Sequence, residues 1–587
     1  MGRISAILAK RVVPVALILA VLVLAFVLLA PSLVSIEVVR RSMSREIAGW
    51  SGQSLTFEGT PEVAFTPYLT VTFPHVTIGS KRNETTLVAM DSLRAQVPIL
   101  PLIFRGRIEP SSFTFERPRF HFTIDNAGTA NWDLPNGLDA TSPVRRLVVS
   151  DGSIDYSGVG RAFSIDKINA VLEMPDPRKA ASVHGTASWR GEAATFYASV
   201  GAPAALADGS KTEARIVIES GPLSSSFEGS VDLIDGLSAS GQLSLSTPSV
   251  IRLATLLSIP TERWPQLGTA SVTSSATLAR GTLTLGDAAL TVDDNQGVGA
   301  IALSLGSARP AVQATLAFDL LDVTSYVAAG RAILAASRQA PDAPLDWPKL
   351  DGLNADLRLS ADRMRLSGQT GGRMAASLGL RDGRLDVAIG DMQIYGGRLT
   401  ASLSAAMEGA APSASLQAKV DGLSLQSALG DFSGITALDG TASGTLSLQG
   451  GGASWNAFVA SLAGRGSAAI AGGTISGINL DVLTGSAAPP ASLENRLYNG
   501  TTGFTSARSN LTIAGGTVSA PDLTLAGPGY SAEMNAAAWL GQPTIRAHGT
   551  ALLGVKRVPA ETIAFDIGGT WDHPVLTLGD LDKTTAP

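Results

Sequence analysis

A mainly β fold is predicted for this 587-residue chain: one N-terminal transmembrane helix, then an elongated, curved, mostly antiparallel and groove-like β-sheet with a few short helices. Three observations carry that prediction. Apolar and polar residues alternate in short runs from near Gly52 to the C-terminus, glycine-led turns recur between the runs, and one uncharged apolar stretch, Val12 to Ala30, is never repeated.

That stretch comes first. At about 1.5 Å of rise per residue its nineteen residues span roughly 28 Å, close to the hydrocarbon thickness of a bilayer. The alternative is a cleaved secretory signal, whose apolar run is normally about 7 to 15 residues and ends in a small-x-small site. Here the run is longer, and Ala30-Pro31-Ser32-Leu33 makes a poor cleavage site. The sequence therefore divides into a cytoplasmic leader (1–11), a transmembrane helix (12–32) with Val12, Leu17, Leu22, Phe26 and Ala30 along it, and a membrane-proximal helix (33–50). Two β regions follow, 51–345 and 346–587. Arg3, Lys10 and Arg11 precede the span and Arg40, Arg41 and Arg45 follow it, so a count of cations barely orients it. The free amino terminus and the short leader favour an N-terminus inside the cell and an exported body. With no cysteine in the chain, disulfides, thiolate metal sites and cysteine nucleophiles are excluded.

Composition narrows the class. Hydrophobic residues make up 45% and charged residues 16%, against roughly 25% charge in a typical soluble domain. Such a body exposes, or wraps around, more apolar surface than usual. The 62 glycines and 31 prolines read as turns because the alternation around them is clear. A net charge of -6 gives no basic stripe for nucleic acid.

Beyond the anchor, Ile36, Val39, Met43, Ile47 and Trp50 recur at spacings of three and four, the face of a helix. The period then changes to two: Leu55 and Phe57; Leu69, Val71 and Phe73; Phe113 and Phe115; Phe120, Phe122 and Ile124; Leu147 and Val149. The same rhythm returns at Leu283 and Leu285, Leu446 and Leu448, and Leu523 and Leu525. At about 8 residues each, some ~30 strands are expected. Gly152-Ser-Ile, Gly281-Thr-Leu, Gly383-Arg-Leu, Gly397-Arg-Leu, Gly473-Thr-Ile and Gly516-Thr-Val each read as a hairpin turn opening a strand. Their spacing is irregular, and none has the pattern of a phosphate-binding loop. Val323 to Gln339 predicts a helix with Tyr326, Ile333 and Leu334 as bulky anchors. Ser454 is placed to cap a short helix carrying Trp455, Phe458 and Leu462. Between them Gln339 to Lys349, with three prolines, reads as a linker.

Residues for chemistry are sparse. The five histidines, His75, His121, His184, His548 and His573, lack a paired metal spacing, and no G-x-S-x-G elbow occurs. Asp293-Asp294-Asn295-Gln296-Gly297 lacks the alternating ligands of a calcium loop and reads as a turn, as does Asp125 to Trp132. No catalytic, metal or cofactor site is predicted, and the expectation is a protein that is not an enzyme.

Several segments resemble the AsmA family. Glu116 to Trp132 is similar to its strand, glycine turn and Asn-Trp. Ile47 to Gly59 and Pro67 to Gly79 are similar to the strand and hairpin that follow its anchor. Ile394-Tyr395-Gly396-Gly397-Arg398-Leu399, Leu438 through Asp481, and Gly569-Thr-Trp-Asp-His-Pro574 are similar to its later parts. Residues from about 175 to 345 match in style only, and Trp50-Ser51-Gly52-Gln53 stands where relatives often carry Thr-Gly-Arg. The resemblance implies a single-pass inner-membrane protein of a Gram-negative cell, with its bulk in the periplasm. It further implies a role in outer-membrane biogenesis, with phospholipid carried in an apolar β-groove and membrane phospholipids and envelope proteins as partners. Phe113, Phe115, Phe120 and Phe122 are the groove candidates, although packing in an ordinary core is the more usual role of such residues. Two other readings stay open: a non-catalytic structural or tethering protein whose alternating faces close into a dry core, and an enzyme or regulator of envelope assembly with an unrecognised site.

Overall fold

The computed structural model describes residues 54–582 except 65–68, 80–85, 99–109, 126–129, 132–144, 159–160, 235, 259–266, 305–308, 346–352, 409–410, 434–435, 478, 480–499, 543, 554–560 and 571–573. The anchor residues Val12, Leu17, Leu22, Phe26 and Ala30 and the helix expected at 33–50 lie outside them. Among the described residues no helix is long and apolar enough to cross a membrane. Thirty-one strands are present among them, with a few short helices. The chain divides into two compact units, 1–259 with 271–280, and 260–270 with 281–587. Gln339–Lys349 falls within the second.

In the first unit Ser54–Phe57 and Glu62–Ala64 both pair with Leu69–Gly79, which pairs in turn with Thr86–Val97, and antiparallel order is broken at one place. Ser112–Glu116 and Arg119–Thr123 both lie parallel to Arg146–Gly158, while their other neighbour, Thr86–Val97, is antiparallel. From Arg146–Gly158 to Ser238–Thr247 the strands then run as an antiparallel meander. The second unit repeats this plan from Thr282–Val292 to Pro574–Asp582, with one parallel pair, Ala311–Asp322 beside Asn354–Leu366.

The turns explain how register is kept. Arg190-Gly191, Arg280-Gly281, Ser367-Gly368, Asp382-Gly383, Tyr395-Gly396 and Gly515-Gly516 all have positive φ at both central residues. That geometry twists a two-residue hairpin in the same sense as the strands it joins. Two of the six expected hairpin glycines are something else. Gly152 lies inside Arg146–Gly158 beside Asp151 (φ 52°), at a register shift, so it marks a bulge. Gly473 lies inside Ala463–Ser476, where a Cβ would stand 2.1 Å from the Asp439 carbonyl oxygen. Both glycines serve close approach of backbone rather than chain reversal. Further bulges at Lys167 and Asp287, both with positive φ, bend and twist the strands that carry them.

Both predicted helices are present, as Thr324–Gln339 and Trp455–Ser461. Ser454 caps the second by accepting from the Ala457 amide at 3.2 Å. In the first, Val327 and the preceding Val323 do the packing, whereas Ile333 and Leu334 are 43% and 42% exposed and anchor nothing. Asp293-Asp294 forms the expected turn between Thr282–Val292 and Asn295–Ser304. Asn131 ties the end of its hairpin, accepting from the Thr123 amide at 2.9 Å and donating to the His121 carbonyl at 3.0 Å.

Candidate functional site

Because side chains alternate across a strand, a register held over many strands sorts the whole sheet into two chemical faces. In the first unit one cross-strand row reads Val71, Ala95, Phe113, Leu147, Leu172, Val183, Ala198, Ile216, Phe227 and Leu243 without a polar member. One step along each strand, the opposite face is mixed: Arg94, Thr114, His184, Tyr197, Ser226 and Ser244 stand there together with Val148, Val171 and Val217. In the second unit the corresponding row runs Leu285, Ile301, Ala314, Leu357, Leu378, Val387, Leu403, Leu416 and Leu448, and continues past Gly464 to Ile513 and Val518.

Burial along these faces is uneven. Val71, Phe73, Leu93, Ala95 and Phe113 are closed off in one cluster, with Phe57 packed edge-to-face on Phe73 at 5.0 Å. Farther along the same face Ile216 and Ile218 are 40% and 37% exposed, and Leu403 in the second unit is 38% exposed. Each unit thus joins a closed core to an apolar face that stays partly open.

Of the four groove candidates, Phe113 and Phe115 belong to the closed cluster at 1% and 5% exposure. Phe120 packs against its rim and stacks on Phe122 at 6.2 Å. The structure brings all four onto the apolar face, since Phe120 pairs with Ile154 and Phe122 with Tyr156.

Among the described residues an apolar cavity lies elsewhere, in the second unit, and sequence reading did not single it out. A cavity of about 250 Å³ is lined by Ile470, Leu525, Tyr530, Met534, Ile563, Phe565 and neighbouring apolar groups. Its cause is visible in the row Ile470, Ala507, Leu525, Ala532, Ala551, Ile563, where three alanines sit among large residues. Gly549, opposite both Met534 and Phe565, removes another side chain. Tyr530 closes one side, buried to 1%, its hydroxyl donating to the Gly503 carbonyl at 3.1 Å. Its exposed lining is apolar and offers water no hydrogen-bond partner, so it favours hydrocarbon.

One polar pair stands at the edge of the apolar cluster of the second unit. The Tyr395 hydroxyl donates to Asp431 Oδ2 at 2.6 Å. Burial, then the hydrogen bond and the negative charge of Asp431, push this phenol well above the usual tyrosine range. Because the folded state holds this proton more tightly, the pair's contribution is fully present below pH ~10, the unfolded value, and is lost as pH rises beyond it. Tyr395→Phe is expected to cost about 1.5–3 kcal/mol, the range for a hydrogen bond to a charged group. It should also remove this part of the alkaline destabilisation, as read by urea unfolding at pH 8 and pH 11.

A family model for the AsmA family matches residues 299–523. That stretch of the chain is similar to the AsmA family. The matched stretch covers the Tyr395-Gly396 turn, the Trp455–Ser461 helix and the first strands of the cavity, but not the N-terminal cluster around Phe113. No curated protein and no solved structure matched the chain. The apolar faces of the two units, and the cavity among the last strands of the second, are the candidate site.

Proposed function

We propose that the whole chain belongs to the AsmA family and is an inner-membrane-anchored periplasmic carrier of phospholipid that serves outer-membrane biogenesis. It would shelter acyl chains on its apolar β-faces while the head groups remain in water. The observations that support this most are the apolar row through each unit and, in the second, the separate apolar cavity beside Tyr530. Sheltering an acyl chain is worth about 0.8 kcal/mol per CH2 and needs no catalytic residue, so the reading assigns no enzymatic step. The anchor Val12 to Ala30 would supply the inner-membrane end, with the amino terminus cytoplasmic.

The test is photocrosslinking in cells with benzoylphenylalanine at Met534 or Leu578, with phospholipid extraction of the purified protein in parallel. Lipid adducts at both positions are expected. Protein that yields neither adducts nor bound phospholipid would overturn the reading. The closed cluster around Phe73 and Phe113 favours a second reading, a non-catalytic tether or regulator of envelope assembly. Its signature would be undiminished function after Ala551→Phe fills the cavity.

A further inference from the structure

Parallel neighbours need a connection that returns the chain from one end of the sheet to the other, and Ala311–Asp322 and Asn354–Leu366 are such neighbours. The return path here is a detour across the apolar face. It starts where Val323 and Val327 pack on the cluster of Phe318, Met364 and Ile394, and where Thr324 Oγ1 accepts from the Ser367 amide at 3.0 Å. Helix Thr324–Gln339 then covers about 24 Å with its sixteen residues. The chain that follows does not dock beside its own strand.

It docks instead on the Trp455–Ser461 helix, beyond the opposite end of Thr441–Gly451. The Leu345 amide donates to the Ala453 carbonyl at 2.7 Å, and the Asn456 amide donates to the Pro341 carbonyl at 2.9 Å. Asn456 Nδ2 donates to Asp342 Oδ1 at 2.7 Å, and the Arg338 guanidinium lies 5.7 Å from the Trp455 ring centre. Both docking points are on the apolar side: the first is that of Phe318, and at the second Trp455 and Phe458 join Leu446 and the row's Leu448 against the cluster of Val459, Leu462 and Ile513. Between them lies the part of the row that runs from Leu357 through Leu403 to Leu448.

The two attachments differ in kind. The first is seated on a buried cluster, whereas the second consists of two backbone hydrogen bonds, one β-bridge (Pro344 with Ser454), the exposed Asn456–Asp342 bond and the Arg338–Trp455 contact, and the helix between them has no buried residue. We propose that residues 324–345 are a strap over the apolar face, and that an acyl chain gains this face when the strap detaches from the Trp455–Ser461 helix. This rests on the carrier reading above and adds a gate to it.

The chain has no cysteine, so Asp342→Cys with Asn456→Cys creates a single thiol pair across the second attachment. The full chain in detergent, as an oxidised disulfide or joined by dibromobimane, would be mixed with phosphatidylethanolamine and phosphatidylglycerol vesicles containing pyrene-labelled phosphatidylethanolamine. Joined protein should take up label at the background rate, and reduction of the disulfide should restore uptake. Asn456→Ala alone, losing one hydrogen bond at the attachment, should speed uptake by about five-fold. Equal uptake by joined and reduced protein would sink the strap and leave the carrier reading standing. No uptake by the unaltered chain would remove both.

Discussion

Tyr530→Ala is expected to destabilise the second unit by about 3–5 kcal/mol, the range for truncating a large buried aromatic side chain. Tyr530 is 1% exposed and forms one wall of an existing cavity. Removing its ring enlarges that cavity instead of opening a space that neighbours could fill, which places the cost toward the upper end. Little relief is available from the backbone: Gly527 is opposite Tyr530, and a Cβ there would meet the ring at 2.1 Å, so strand and ring are already in close contact. Tyr530→Phe keeps the ring and loses only the bond to Gly503, so it should cost about 0.5–1.5 kcal/mol. Denaturant unfolding of both variants separates the two contributions, and equal losses would show that the hydroxyl, not the ring, holds the site.

Ile216→Asp combined with Ile218→Asp should have the opposite character, a large effect on lipid and a small one on stability. Both side chains are more than a third exposed, so each replacement should change stability by about 0.5 kcal/mol or less. A carboxylate at 216 would nevertheless sit in the apolar row between Ala198 and Phe227, with the one at 218 beside it, between Phe196 and Ser225. An acyl chain crossing that point would have to strip water from two charges, a cost of several kcal/mol that hydrocarbon contact cannot offset. Photocrosslinking from Leu243, on the next strand but one, should therefore lose its lipid adducts while the unfolding midpoint stays in place. Retained adducts would mean that lipid does not use this face.

Much of this architecture was legible in the sequence because a period of two survives wherever one face is apolar. Phe113 with Phe115, Leu147 with Val149, and Leu446 with Leu448 lie in the expected strands, and the Ser454 cap forms as its spacing implied. Gly152 and Gly473 were misleading for one physical reason: close backbone approach within a bulged or crowded strand selects glycine as strongly as a tight turn does. The cavity escaped notice for another. Periodicity is carried by large side chains, whereas the cavity is made by Ala507, Ala532, Ala551 and Gly549, whose smallness has no pattern. Ile333 and Leu334 lie on a helix that spans between two docking points, so their bulk does not translate into burial. That the strap lands on a segment more than a hundred residues later is a matter of tertiary path, which local spacing does not encode.

The two-residue hairpins carry a consequence for how such a chain can change its size. In an antiparallel meander, removing or inserting one strand reverses the direction of everything after it. Removing or inserting a hairpin pair restores both the direction and the inward phase. The joints at Arg190-Gly191, Arg280-Gly281, Asp382-Gly383 and Gly515-Gly516 are therefore natural points of growth and loss. Descendants of this chain could differ by even numbers of strands while every remaining side chain kept its side, so that reach evolves separately from the chemistry of the surface.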